Sequence, residues 1–115
     1  MAVKTPIVPT EIVVHLGPPN EAGKNITVPF PEYIKNVASN EIYPSWPLDA
    51  IKANVLAQIS FALNRIYNEW YLSKGYNFDI TSSSAYDQTF KEDAQFFESI
   101  SKVVDDIFNN YIVRE

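Results

Sequence analysis

The run Tyr43-Pro44-Ser45-Trp46-Pro47 allows no helix to pass through the middle of this chain. Proline lacks the amide donor a helix interior needs, and its ring clashes with the carbonyl four residues back. The residue before each proline is also pushed toward an extended conformation. The segments on either side must therefore be separate helices. Before the break, Pro31 suits a first helical turn, where a missing donor is harmless. Ile34, Val37, Ala38 and Glu41 then fall at i, i+3, i+4 and i+7, one face of a helix. The spacing predicts a helix over 31–42 with Glu41 on its buried stripe. After the break, Pro47 opens a second helix. Leu48, Ile51, Val55, Ile59, Ala62, Leu63, Ile66 and Trp70 keep the helical period, which predicts a helix over 47–73. Gly75 ends it, with Lys74 favourably placed against the helix dipole.

The flanks complete the outline. Residues 1–10 read as an extended arm. Glu11 to Leu16 alternates as a strand, with His15 on its solvent side. A long turn follows through Gly17-Pro18-Pro19-Asn20 and Ala22-Gly23, and Asn25 to Val28 returns as the second strand of a hairpin. A further short strand fits at Phe78 to Thr81. Near the end, Phe96, Phe97, Ile100, Val103, Val104, Ile107, Phe108 and Tyr111 make the strongest apolar stripe, predicting a helix over about 91–112. Glu98, Asp105 and Asp106 lie opposite it as a solvated face. The expected fold is α+β and helix-rich: an N-terminal β-hairpin packed on three helices, the second one central. Its core is expected from Ile34, Val37, Ile51, Val55, Ile59, Leu63, Ile66, Phe97, Ile100, Val104, Ile107 and Phe108, with Trp70 also inside.

Composition narrows the function. At 115 residues the chain makes one domain with one core. It has no cysteine and one histidine, which excludes disulfides, thiolate metal sites and any site needing two imidazoles; no metal or cofactor is expected. The net charge of −5 argues against nucleic acid as a partner. No secretory signal is evident in residues 1–20 and no apolar run reaches the length of a membrane span, so synthesis in the cytoplasm is expected.

Glu41 is the candidate for chemistry. A carboxylate on a buried stripe loses water, desolvation favours its protonated form, and a general acid results. Lys52 borders the stripe of the second helix; it is either a snorkelling lysine or a cation placed near Glu41 or a substrate oxygen. Trp46 and Tyr43, at an interrupted helix end, are either corner packing or an aromatic surface for a ligand. Asp79 and Asp87 read as turn caps.

Several of these residues also carry a family resemblance. Glu32-Tyr33-Ile34, Val37, Glu41-Ile42, Ser45-Trp46-Pro47, Ala50-Ile51-Lys52-Ala53-Asn54, Ala57 and Ser60-Phe61-Ala62-Leu63 resemble the signature of the stage II sporulation protein D family. Phe78-Asp79-Ile80 and Gln88-Thr89-Phe90 resemble a later segment of the same family. The resemblance covers about residues 28–90. It implies a lytic transglycosylase acting on peptidoglycan glycan strands, with Glu41 as acid/base, Lys52 as its helper, and Asn54 and Gln88 beside Trp46 and Tyr43 in substrate binding. Related proteins enhance cell-wall amidases. The implied location is the mother cell, spore or cell envelope.

The chain also departs from the family. Ile59 stands where the family has arginine, and Thr81 to Tyr86 replace a Cys/His/Cys zinc site. A single amphipathic helix follows where family members continue with further strands, so a fragment or a reduced homologue is expected. Three readings stay open: a lytic enzyme of complete, reduced or lost activity; a glycan-binding module without turnover; and a structural or assembly protein of the spore or envelope. An exposed stripe on the 91–112 helix would favour a protein partner there, and a buried one would remove that argument.

Overall fold

In the computed structural model, which describes residues 7–92, 96–110 and 113–114, the alternating segments near the start pair as the pattern requires. After a two-residue strand β1 (Ile7–Val8), β2 (Glu11–His15) and β3 (Asn25–Pro29) form an antiparallel hairpin, with Ile12 opposite Val28 and Val14 opposite Ile26. Three helices follow: α1 (Phe30–Glu41), α2 (Leu48–Tyr67) and, after a short strand β4 (Ile80–Thr81), α3 (Glu98–Asn110). A last strand, β5 (Val113–Arg114), runs parallel to β1. The fold is the expected helix-rich α+β arrangement. The hairpin is widened by β4, which pairs parallel to β2 and gives the strand order β3-β2-β4.

Asp79 sets that third strand in place. Its amide donates to the Val13 carbonyl at 2.9 Å, while its carboxylate accepts the Val13 amide at 2.8 Å. The same segment explains why His15 is buried, 6 % exposed, instead of facing solvent. Alternation places His15 on the face away from Ile12 and Val14, but Phe78 covers that face and stacks on the imidazole at 4.4 Å. The ring nitrogens lie 2.6 Å from Asn25 Oδ1 and 2.9 Å from the Glu21 carbonyl. A strand pattern reads only its own alternation; here a segment more than sixty residues away covers the second face.

The core lies between the sheet and the helices. Ile34 and Val37 of α1, Ile51, Val55 and Ile59 of α2, and Ile100, Val104, Ile107 and Phe108 of α3 are buried as expected, and Leu63 and Ile66 pack partly against them. Tyr33, Phe30 and Phe90 add an aromatic centre, with Tyr33 stacked on Phe90 at 5.5 Å. Each such side chain contributes about 1.5–3 kcal/mol by leaving water. Ile100, Val103, Val104, Ile107 and Phe108 of the α3 stripe are buried in this core, while Phe96, just before the helix, is exposed. Phe97 is one exception to the expected core, 43 % exposed, because α3 begins at Glu98 rather than near residue 91. Residues 93–95 and 111–112 of the predicted third helix, and residues 1–6 of the arm, lie outside the described residues.

α2 is shorter than its apolar period suggests. It stops at Tyr67, Asn68 caps it, and Glu69 takes a left-handed φ of +48°. The Trp70 amide donates to the Arg65 carbonyl and the Glu69 amide to the Ile66 carbonyl, both at 3.1 Å, the bonding of a Schellman turn. Glycine usually marks such a turn; here it is Glu69, and the visible glycine, Gly75, ends a later 3₁₀ turn at Leu72–Lys74. Trp70 is therefore swung outward, 42 % exposed, with the Arg65 guanidinium 4.4 Å and the Lys74 ammonium 3.5 Å from its ring centroid.

Candidate functional site

α1 ends at Glu41, and Ile42 turns the chain to an extended conformation with φ −118° and ψ 141°. This turn decides which residue is buried. Ile42 drops into the core at 2 % exposure, and Glu41, expected on the buried stripe, stands on the surface. The apolar stripe of the helix ends at Ala38, and the last turn is met by polar contacts instead, Asn40 with the Thr89 carbonyl and Glu41 with Gln58. Glu41 thus lacks the apolar burial its spacing suggested.

Its carboxylate is nonetheless held. Gln58 Nε2 donates to Glu41 Oε2 at 2.6 Å and to Asn54 Oδ1 at 3.2 Å. Glu41 Oε1 has no hydrogen-bond partner among the described residues. Gln58 is buried, 7 % exposed, as is Gln88 at 4 %. Gln88 Nε2 donates to both the backbone carbonyl and the side-chain oxygen of Gln58, at 2.9 and 2.5 Å, and Gln88 Oε1 accepts from the Tyr33 hydroxyl at 2.8 Å. The Tyr33 phenol is pushed well above its ordinary value by burial first, then by the charges of Asp87, Glu41 and Tyr71, so it stays a donor. One unbroken file of hydrogen bonds runs from Tyr33 in the core to Glu41 on the surface.

The surroundings are aromatic and open. Ser39, Asn40, Glu41, Ile42, Tyr43 and Phe97 line a shallow depression of about 200 Å³. That is smaller than the roughly 300–1,000 Å³ of a cavity that engulfs a small molecule, so an extended polymer lying across the surface suits it better. Tyr43 and Trp46 are exposed, with ring centroids 6.4 Å apart, and Phe97 stands on the far side of the depression, its amide donating to Ser39 Oγ at 3.3 Å. Larger depressions, of about 320 and 520 Å³, lie along the outer face of α2 and beside the hairpin turn, and neither includes Glu41.

The structure gathers some of the expected site residues and separates others. Glu41, Tyr43 and Asn54 converge, and Trp46 stands beside Tyr43. Gln88 is not at the surface; it is a buried link behind Glu41. Lys52 lies about 160° around α2 from Asn54, at 100° per residue, on the opposite border of the buried stripe. It makes no ion pair with Glu41, and none with any other described residue. Two residues were missed by sequence reasoning. Gln58 carried a signal, an amide on the apolar stripe of a helix. Phe97 carried none, because its aromatic neighbours in sequence read as one continuous helix face.

Segment 86–91 is clamped behind this site. Asp87, whose side chain is fully buried, accepts Arg65 Nε at 2.7 Å, the Tyr71 hydroxyl and Thr81 Oγ1 at 2.6 Å, and the Thr81 amide at 3.0 Å. Asn40 reaches the Thr89 carbonyl at 3.1 Å and Asn36 the Lys91 carbonyl at 2.7 Å, so α1 grips the segment at successive turns. Asp87 and Asp79 are thus engaged in the scaffold and are not free for chemistry. Among the described residues no three His, Cys, Asp or Glu side chains converge as a metal site requires, and no helix is long and apolar enough to cross a membrane.

Fold and site together describe a small α+β domain that presents one carboxylate, held from behind, on an open aromatic-edged surface. The chain belongs to the SpoIID family, described as stage II sporulation protein, whose pattern it matches over residues 20–112. The match covers most of the chain and agrees with the resemblance carried by the Glu41, Trp46-Pro47 and Lys52 positions. No curated protein and no solved structure matches it. Membership is consistent with a role in sporulation related to the cell wall.

Proposed function

We propose that this domain acts on peptidoglycan glycan strands as a lytic transglycosylase, with Glu41 as its single acid/base. The observation that carries the reading is the division of labour between the two oxygens of Glu41: Oε2 is held by Gln58, and Oε1 is unpartnered among the described residues, on a surface edged by Tyr43, Trp46 and Phe97. Glycosidases that use water need two carboxylates about the scissile bond. No other described residue lining this depression is acidic, and a substrate that supplies its own nucleophile suits a single acid/base. In the reaction proposed, Glu41 gives its proton to the glycosidic oxygen as the bond to the anomeric carbon breaks. The muramic acid ring's own hydroxyl then bonds to that carbon and returns its proton to Glu41. No water is consumed, and the product ends in anhydro-muramic acid.

Because Glu41 is exposed, the strand itself must displace water from it, with Tyr43, Trp46 and Phe97 supplying the covering surface. Asn54 is a candidate hydrogen-bonding group for the strand. Lys52 would have to act on a part of the substrate remote from Glu41. The test is digestion of purified glycan strands by the chain and by Glu41→Gln, with products read by mass. Anhydro-muramic ends from the parent and none from the variant are expected. Retained binding without products would make this a glycan-binding module. Loss of both would refute the reading in favour of a structural role.

A further inference from the structure

We propose that Gln58 is a positioning residue for Glu41, pinning Oε2 so that Oε1 is the oxygen that exchanges the proton. The inference rests on the glycan-cleaving reading above and names the part of the chain that orients its acid.

The direction of every hydrogen bond in the file is set by one group. The Gln58 backbone carbonyl can only accept, so the atom of Gln88 that meets it at 2.9 Å must be the amide nitrogen. That nitrogen also faces the Gln58 side chain at 2.5 Å, which must therefore present its oxygen. The Gln58 amide nitrogen is then left to point outward at Glu41, 2.6 Å from Oε2. At the inner end, Gln88 Oε1 is satisfied by the Tyr33 hydroxyl, which burial keeps protonated. Neither amide can flip without setting donor against donor or acceptor against acceptor in a buried place, and that is costly. Among the described residues no buried side-chain polar atom is left unpaired.

Glu41 itself is exposed and sits at the last position of α1, where its long side chain can reach several orientations unless a partner holds it. Gln58 is the one described side chain that bonds its carboxylate. The arrangement transmits order outward, from Tyr33 and Gln88 in the core to a group that must meet a glycosidic oxygen within hydrogen-bond reach. A donor fixed on Oε2 also occupies the oxygen that would otherwise compete for the proton. Position 58 adjoins Ile59, which stands where the family has arginine; Ile59 faces the core at 4 % exposure, and Gln58 is the residue on the Glu41 side.

The test has two arms. In the first, the Gln58 side-chain amide signals of the parent and of Glu41→Ala are compared by ¹⁵N NMR without any glycan. A clear shift is expected as the acceptor is removed, and unchanged signals would overturn the Gln58–Glu41 contact whatever the protein's activity. In the second, glycan-strand turnover is compared between the parent and Gln58→Leu. Turnover is expected to fall about 100-fold in kcat with little change in KM, since misplacing a reacting group by about 1 Å has that effect. Should Gln58→Leu lose its cooperative melt, Gln58→Met replaces it, keeping the length of the side chain without a donor to Glu41; the same fall is expected. A parental kcat in a folded variant overturns the positioning role. A parent that cleaves nothing sinks the lytic reading instead, and the catalytic meaning of Gln58 with it.

Discussion

Asp87→Asn should destabilise the domain by about 3 kcal/mol. The carboxylate has no exposed surface and receives four donors: Arg65 Nε, the Tyr71 hydroxyl, and the amide and hydroxyl of Thr81. Asparagine has the same shape but one acceptor oxygen and one donor nitrogen. If its nitrogen takes the Oδ1 place, it meets the Arg65 N–H at 2.7 Å; if it takes the Oδ2 place, it meets the Thr81 N–H at 3.0 Å. Either orientation sets two donors face to face, and the hydroxyls cannot relieve both. Removing one partner of a buried ion pair costs about 3–5 kcal/mol. The Arg65 side chain keeps 16 % of its exposure, so it recovers some hydration and the low end of that range applies. At roughly 4 °C per kcal/mol for a domain of this size, Tm should fall by about 12 °C. Thermal melts followed by far-UV circular dichroism would show it, and Arg65→Gln in the same background should make the two losses less than additive. A Tm within about 3 °C of the parent would refute the claim that this carboxylate anchors segment 86–91 to α2.

Three further outcomes are expected from the same structure. Glu69→Gly should raise Tm by a few degrees, because the left-handed φ of +48° costs a non-glycine residue about 1 kcal/mol; an unchanged or lower Tm in thermal melts would remove that strain from the account. Tyr71 is held protonated above its ordinary value by burial, then by the Asp87 hydrogen bond and charge. Its share of stability is full below about pH 10 and is lost as pH rises through the raised folded value, since the unfolded chain ionises first. Tyr71→Phe should therefore lower Tm at neutral pH yet flatten its alkaline decline, and parallel profiles for the two proteins would contradict this. Trp46→Ala should weaken glycan binding about tenfold in a pull-down while moving Tm by less than about 2 °C, because Trp46 is exposed and its recorded ring contact is with Tyr43. Equal binding with a large Tm loss would make Trp46 structural.

Gln58 and Gln88 show where local reading stops. An amide on the stripe of α2 is visible in the chain, but its partner lies thirty residues away, and only the packing of α1, α2 and segment 86–91 brings them together. Glu41 shows the complementary case. Its spacing placed it on the correct helix and at the correct end, yet its exposure was decided by the turn at Ile42, which sends that side chain into the core instead. For His15 the opposite happened, because the Phe78 segment folded over a strand face that alternation assigned to solvent.

The chain by itself determined the α+β class, the hairpin, the three helices with most of their buried positions, and the family signature around Glu41 and Trp46-Pro47. These depend on backbone periodicity and on proline chemistry, which act within a few residues and can be read along a line. Only the tertiary structure decided that Glu41 is exposed but held, that Lys52 stands apart from it, that Gln88 is a buried link and not a surface contact, and that Asp87 is committed to Arg65 and Tyr71. Hydrogen bonding and burial depend on distances between residues far apart in sequence, and those distances exist only once the helices have packed.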